Sequence, residues 1–448
     1  MRDRLFGAID RVPVWLRIVV AIAAFASVGT WLTVTTWHTL STSRSDIGPL
    51  TDFRDAIYYP VVALRDGVNP YNVDVYYRLY PVGQEFPLYT PVHLLLNAPL
   101  LLFSFPVARA VNFGWNLLLV LGLAVAALRL TRVRLTVAMV VGLATLILLS
   151  DPGRFDLRSG QPTLLLVIAT YVALGVVTER IRARGEPIAL HVAPLLIGAV
   201  AIAVVWSKPT FAIPLAVLLV ATGRVRLAAY GTALGVALSA AVLPTLVHAA
   251  GGIDPLVTSW RENARITSQS PQSHLGSGLR IDIGNTFVRV THLHPSEGLA
   301  AVGGLVLLVV GASVIWRLHR ADPAGDHEEL VVTFAVLLML TSMYRVSYDY
   351  LLLTGPLVML ARRAPNRSIA WPHAVRSTVF WLLLLPVVDP LGWSPINAVL
   401  GKSGFEWMFG PTMMAIYVVA ALVLCAWTAL RQLRSPRPVT EPTIPVAA

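Results

Sequence analysis

The stretch LAAVGGLVLLVVGASVIW (299–316) carries no charged side chain and ends against Arg317 and Arg320. An α-helix rises 1.5 Å per residue, so roughly 17–25 such residues cross a hydrocarbon core of about 30 Å. Working outward from this run, comparable segments lie near 14–40, 107–128, 135–150, 161–178, 188–206, 209–222, 227–249, 330–346, 348–361, 374–389 and 411–430. With 299–316 they make twelve, of which 209–222 and 348–361 are short. Of the 448 residues, 56% are apolar and 13% charged, and the mean hydropathy is +0.68. A soluble chain carries about 25% charge, so an ordinary water-soluble globular protein is excluded. The expected fold is an all-α polytopic membrane protein, one integral membrane domain over 1–448. The single cysteine, Cys425, rules out an intramolecular disulfide.

The formal charge of +11 would point to nucleic acid on a soluble protein, but here topology accounts for it. Short basic clusters flank the spans: Arg2/Arg4/Arg11, Arg129/Arg132/Arg134, Arg180/Arg182/Arg184, Arg224/Arg226, Arg317/Arg320, Arg362/Arg363/Arg367 and Arg431/Arg434/Arg437. With these inside, the connections alternate across a plasma membrane and both termini are cytoplasmic. The outer side is left nearly neutral, so no basic surface remains for a nucleic acid. One segment, 88–105, would break the alternation if it crossed. Its Pro91, His93, Asn97 and Pro99 suit a re-entrant or interfacial element, and it is placed outside without crossing. The long connections 41–106, 251–298 and 390–410 are then external, and the tail 435–448 is expected to be disordered. A chain with its polar mass outside is expected to work at the outer face.

The first of those connections contains TDFRDAIYYPVVALRDGVNPY (51–71). Phe53, Ala56, Ile57, Val61 and Leu64 recur at helical spacing, and Asp52, Asp55 and Tyr59 share the opposite face. This spacing predicts an amphipathic helix on the membrane surface, kinked at Pro60 and ended by Gly67 and Asn69-Pro70. Its acids either cap their own helix or present a catalytic carboxylate at headgroup depth. The aromatics of 58–89 fit both an interfacial belt and a sugar-stacking groove.

An acid-aromatic pair after the first span (Asp52-Phe53), then Gly67, Pro70-Tyr71 and Tyr89-Thr90-Pro91, resembles the GT-C polyprenyl-phosphate-sugar-dependent glycosyltransferases, in particular family 87. Gly160-Gln161, Lys208-Pro209 and QSPQSHLGSGLR (269–280) are similar to further elements of that family. Thr163 stands where the family has Asn, and Thr90 where it has the first Pro of Tyr-Pro-Pro. The resemblance implies a GT-C-like bundle of about twelve transmembrane helices with amphipathic helices in the external loops. It also implies transfer of mannose or arabinofuranose from a polyprenyl-phosphate donor to a glycan or glycolipid acceptor, at the outer face.

Such a transfer needs a general base for the acceptor hydroxyl and cations or hydrogen-bond donors for the leaving phosphate. The resemblance makes Asp52 the base, with Asp55 in reserve on the same helix face. Donor phosphate and sugar contacts are expected from Lys208, Arg158, Arg280 and Arg345 near span ends, and from Tyr89, His93 and Gln161. Lys208 is one of only two lysines and ends an apolar span, where an ammonium must find an anion or snorkel to water. Arg345 and Asp349 are expected to pair with each other. His292 and His294 make a weak metal pair, and no metal or cofactor is implied. A secondary transporter is a competing reading, but no internal repeat or midplane charge supports it. A polymerase or ligase of lipid-linked glycans would lean on Arg-rich external loops, against the near-neutral outer charge.

Overall fold

The computed structural model describes residues 12–42, 50–184, 192–270, 273–321, 327–362, 371–388 and 410–434. The expected tail at 435–448 and nearly all of the connection 390–410 lie outside the described residues. Those described are helical, with no strand among them and one isolated antiparallel bridge between Arg280 and Val346.

Among the described residues, five helices are long and apolar enough to cross a membrane: Val14–Leu40, Phe105–Leu130, Val225–Ala250, Glu297–Ala321 and Thr412–Arg434. A sixth candidate is the pair Val137–Leu149 and Asp151–Ser159, bent by 76°. Other expected spans correspond to Thr163–Arg184, a helix of 22 residues, and to the shorter helices Val192–Val205 and Pro209–Ala221. Two helices stop where the expected apolar runs end, at Ser150-Asp151-Pro152 and at Ser207-Lys208-Pro209. Pro cannot continue a preceding helix but suits the first turn of the next. Ser150 caps such a restart, accepting from Gly153 N at 3.1 Å.

Segment 88–105 folds as a helix Pro91–Asn97 followed by a 3₁₀ turn Ala98–Leu102. It rises roughly 20 Å at 1.5–2 Å per residue, short of a hydrocarbon core.

The stretch 51–71 is helical, as its spacing predicts, but it does not lie on a surface. Phe53–Tyr58 forms a π-helical turn that passes into the α-helix Tyr59–Arg65. Phe53, Ala56, Ile57, Tyr58, Val61, Val62 and Ala63 are all buried. The π turn absorbs the break in bonding that Pro60 imposes, and such bulges recur at functional sites. Gly67, at φ +75°, follows the helix and lets the chain reverse. A second, small core forms where Tyr71, Tyr76, Phe86 and Tyr89 pack with Val61 and Ala63 against Val242, Leu246 and Leu256. Most aromatics of 58–89 thus belong to this packing rather than to a belt or an open groove. Asn263, on the helix Ile253–Gln269, clasps the loop by donating to the Phe86 carbonyl at 2.8 Å.

Candidate active site

Five remote pieces of the sequence meet beneath the loop. The first is the turn holding Asp52, whose half-buried carboxylate accepts a hydrogen bond from the Gln84 side-chain amide. Burial raises its pKa above the usual 3.8; the side chains of Gln84, Gln161 and Ser159 and the charge of Lys208 oppose that shift without cancelling it.

Gly160-Gln161 supplies the second piece. Gly160 ends the helix Asp151–Ser159 in the left-handed conformation, φ +75°. A Cβ there would lie 2.6 Å from the Phe53 Cβ, so only glycine lets the two segments touch. Leu50 N donates to the Arg158 carbonyl at 2.5 Å in the same contact. Gly160→Ala is expected to destabilise the protein by about 2 kcal/mol or more, adding a clash to the 1–2 kcal/mol of left-handed strain. Pushing Phe53 away also moves Asp52, so kcat should fall more than the loss of folded protein explains. Thermal denaturation beside a transfer assay checks both.

Tyr89-Thr90-Pro91 is the third piece. The Tyr89 hydroxyl donates to Gln161 Oε1 at 3.2 Å, and Tyr71 donates to the Tyr89 carbonyl at 2.6 Å. Thr90 donates through its hydroxyl to the Trp206 carbonyl (2.6 Å) and through its N–H to that of Ser207 (3.1 Å). A proline at 90 could make neither bond, so this departure from Tyr-Pro-Pro fastens the loop to the connection that bears Lys208.

Lys208, the fourth, is buried just before the helix Pro209–Ala221. Its Nζ stands 3.4 Å from Asp349 Oδ1 and over the rings of Tyr348 (5.1 Å) and Phe211 (5.2 Å). The fifth piece, 345–349, brings a fully buried guanidinium. Arg345 donates to the carbonyls of Met339 (2.9 Å) and Thr210 (2.5 Å), lies 3.8 Å over the Phe211 ring and reaches Asp349 at 3.9 Å. Its Nη1 has no hydrogen-bond partner. The expected pairing of Arg345 with Asp349 is present, but Lys208 is the closer cation. Two cations therefore share the Asp349 carboxylate.

The other expected residues stand differently. The Asp55 carboxylate accepts from Arg54 Nε (2.5 Å) and Nη2 (3.1 Å) and from the backbone of Gly83 (3.0 Å) and Gln84 (3.1 Å). A carboxylate offers about four acceptor positions, so this one is filled in holding the loop. Asp55→Ala should cost about 2 kcal/mol of stability through those lost bonds, measurable as a lower melting temperature. His93 is buried, its Nε2 2.9 Å from the Ala56 carbonyl and its ring 4.3 Å from that of Tyr89; burial pulls its pKa down to about 4. It is a neutral strut at neutral pH. Arg280 gives its donors to Asp282 (2.5 Å), Glu297 (2.9 Å) and the Ser273 carbonyl (3.0 Å). Its neighbour Ile281 donates to the Arg345 carbonyl at 3.0 Å, so this segment braces the fifth piece. The Arg158 side chain is exposed. His292 and His294 are exposed too, and among the described residues no cluster of three His, Cys, Asp or Glu forms a metal site.

Several members carried no sequence signal. Gln84 sits in an irregular loop, and Ser159 lies beside Gly160. Asp156 is fully buried with both carboxylate oxygens lacking a hydrogen-bond partner, within electrostatic reach of Lys208, Asp349 and Asp52. Its position between Phe155 and Leu157 was the one available hint of burial.

The sequence profile of glycosyltransferase family 87 matches residues 87–342, more than half of the chain. The chain belongs to glycosyltransferase family 87. It is therefore a membrane glycosyltransferase, acting on a sugar donor and an acceptor. No curated protein and no solved structure matches it. The family 87 match contains Tyr89, His93, Gln161, Lys208 and Arg280. Asp52 joins that group from upstream, and Arg345 and Asp349 from downstream.

Proposed function

We propose that the protein transfers mannose or arabinofuranose from a polyprenyl-phosphate donor to a hydroxyl of a glycan or glycolipid. The observation that carries this reading is the juxtaposition of a desolvated carboxylate, Asp52, with the buried cation pair Lys208 and Arg345. Asp52 takes the proton of the acceptor hydroxyl while that oxygen bonds to the anomeric carbon. The bond from that carbon to the phosphate oxygen breaks, and its electron pair leaves with the polyprenyl phosphate. Lys208, with Arg345 beside it, faces the growing negative charge on that phosphate. Desolvation makes Asp52 a stronger base than a free carboxylate, and a base with its pKa nearer the working pH is more effective.

In this reading the chain is one membrane domain of the GT-C kind with about twelve crossings, several of them short or tilted. Both termini are cytoplasmic, and the loop 41–106 holds the site at the outer face of the plasma membrane. The neutral outer charge supports this placement, since one hydroxyl and one phosphate need only a mixed set of acids and cations.

The test is transfer by the purified, reconstituted protein from polyprenyl-phosphate-linked radiolabelled mannose and, in parallel, arabinofuranose. Label should pass from one of them to a glycan or glycolipid acceptor as free polyprenyl phosphate appears. Turnover of a lipid diphosphate donor, with neither monophosphate used, would reject the proposal in favour of a polymerase or ligase.

A further inference from the structure

We propose that the helix Ile253–Gln269 lies flat in the headgroup layer of the bilayer and fastens the loop 71–89 to that surface. Its circumference divides into three faces. Ile253, Val257 and Trp260 follow at i, i+4 and i+7, within roughly 60° of one another at 3.6 residues per turn. They are 67%, 39% and 48% exposed, an apolar stripe that the described residues leave uncovered. Leu256 and Asn263 mark a second face, which is buried against the protein. Leu256 belongs to the small core with Tyr71, Tyr76, Phe86 and Tyr89, and Asn263 donates to the Phe86 carbonyl at 2.8 Å. On the third face Asp254, Thr258, Arg261, Glu262 and Arg265 are exposed and polar, with Glu262 and Arg265 paired at 2.6 Å. A helix divided in this way suits a membrane surface, with its apolar stripe among the lipids and its charges in water. The stretch 51–71, expected to have that role, is buried; 253–269 carries the open apolar face that it lacks.

The bilayer is the occupant because the stripe continues a surface already within it. Val225–Ala250 is long and apolar enough to cross a membrane, and its Tyr230, Val236 and Leu243 are exposed. Only Gly251 and Gly252 separate the end of that span from Ile253. Both have positive φ, +79° and +142°, so the chain turns sharply where the span ends. The next helix therefore starts at the membrane surface. Tryptophan is favoured at that depth, and Arg261, which borders the stripe next to Val257, can lay its stem along apolar surface and its guanidinium among lipid phosphates. Through Asn263 and Leu256, lipid contact on one side of the helix holds the loop on the other. None of this depends on the reaction proposed above.

The test is fluorescence quenching of the full chain in phosphatidylcholine nanodiscs, with a polarity-sensitive label on one cysteine at a time in a Cys425→Ala background. Val257→Cys and Trp260→Cys probe the stripe, and Thr258→Cys and Glu262→Cys the polar face. Lipid carrying a doxyl group near its headgroup should quench the first two about threefold more than the second two, and aqueous iodide should do the reverse. If Trp260→Cys does not fold, Val257→Cys against Thr258→Cys decides. Iodide reaching the stripe as readily as the polar face would overturn the proposal. Shielding of the stripe from both quenchers would overturn the lipid assignment in favour of a second copy of the chain. For the fastening, Asn263→Ala should keep the quenching pattern while trypsin cleaves after the exposed Arg78 severalfold faster. Val257→Glu with Trp260→Glu, which expels the stripe from lipid, should speed that cleavage too. Cleavage unchanged in both would overturn the link between the helix and the loop.

Discussion

Asp52→Asn is expected to lower sugar transfer by about 10²–10⁴, the usual contribution of a general base, or about 3–5 kcal/mol of transition-state stabilisation. The substituted amide keeps the shape and can still bond to Gln84 and Gln161. Donor binding should therefore persist, and the loss should appear in kcat. The fold should not suffer. Burial raises the Asp52 pKa in the folded protein above its unfolded value, so folding favours the protonated form. That contribution is present at low pH and lost as pH rises through the folded pKa. At neutral pH the ionised side chain is a cost, and Asn removes it. The melting temperature of Asp52→Asn should match or exceed that of the parent. In the parent, activity should fall on acidification through a pKa above the ordinary carboxylate value of 3.8. A variant that retained full transfer would remove Asp52 from the role of base. One that lost transfer and melted early would make it structural.

Lys208→Met should do the opposite to stability. It leaves the buried Asp349 carboxylate with Arg345 at 3.9 Å and the Val346 N–H at 3.3 Å. Breaking a buried pair on one side typically costs about 3–5 kcal/mol, here moderated by those remaining contacts. Transfer should fall by about 10² or more, because the leaving phosphate loses its nearest cation. Adding Asp349→Asn to Lys208→Met removes the stranded charge, so the double variant should recover stability without recovering transfer. If it recovers both, Lys208 serves only to neutralise Asp349. Lys208→Arg should not rescue either, since the Arg345 guanidinium already lies 3.8 Å over the Phe211 ring and a second one beside it adds like-charge repulsion. Denaturation and donor-concentration kinetics on the three variants decide between these outcomes.

Much of this site was readable as spaced residues, and what was hidden was hidden for geometric reasons. Asp52, Tyr89, Gln161 and Lys208 each stand in a short motif, and the fold brings all four together. Asp55 was legible as sharing a face with Asp52, but no pattern shows that the main chain at 83–84 returns to fill its acceptor positions. Arg158 and Asp156 are two residues apart on one helix, which places them roughly 200° apart around its axis. The acid points inward and the arginine to the surface. Both stand in the polar stretch DPGRFDLRSGQP (151–162), and packing of Asp151–Ser159 against Ser347–Leu353 separates them. The π turn at Phe53–Tyr58 has no sequence signature beyond Pro60. Of the twelve expected spans, five stand among the described residues as helices long and apolar enough to cross a membrane.

The distance along the chain between Lys208 and Asp349, 141 residues, also bears on how the protein is made. Translation delivers the Asp52 loop, Gln161 and Lys208 long before the segment that neutralises the lysine. Until Asp349 arrives, the ammonium lacks the carboxylate that stands 3.4 Å from it in the folded protein. The pocket is completed only when residues 345–349 have been made, long after Lys208. A half-made chain in the membrane thus has no complete pocket with which to take up a sugar donor.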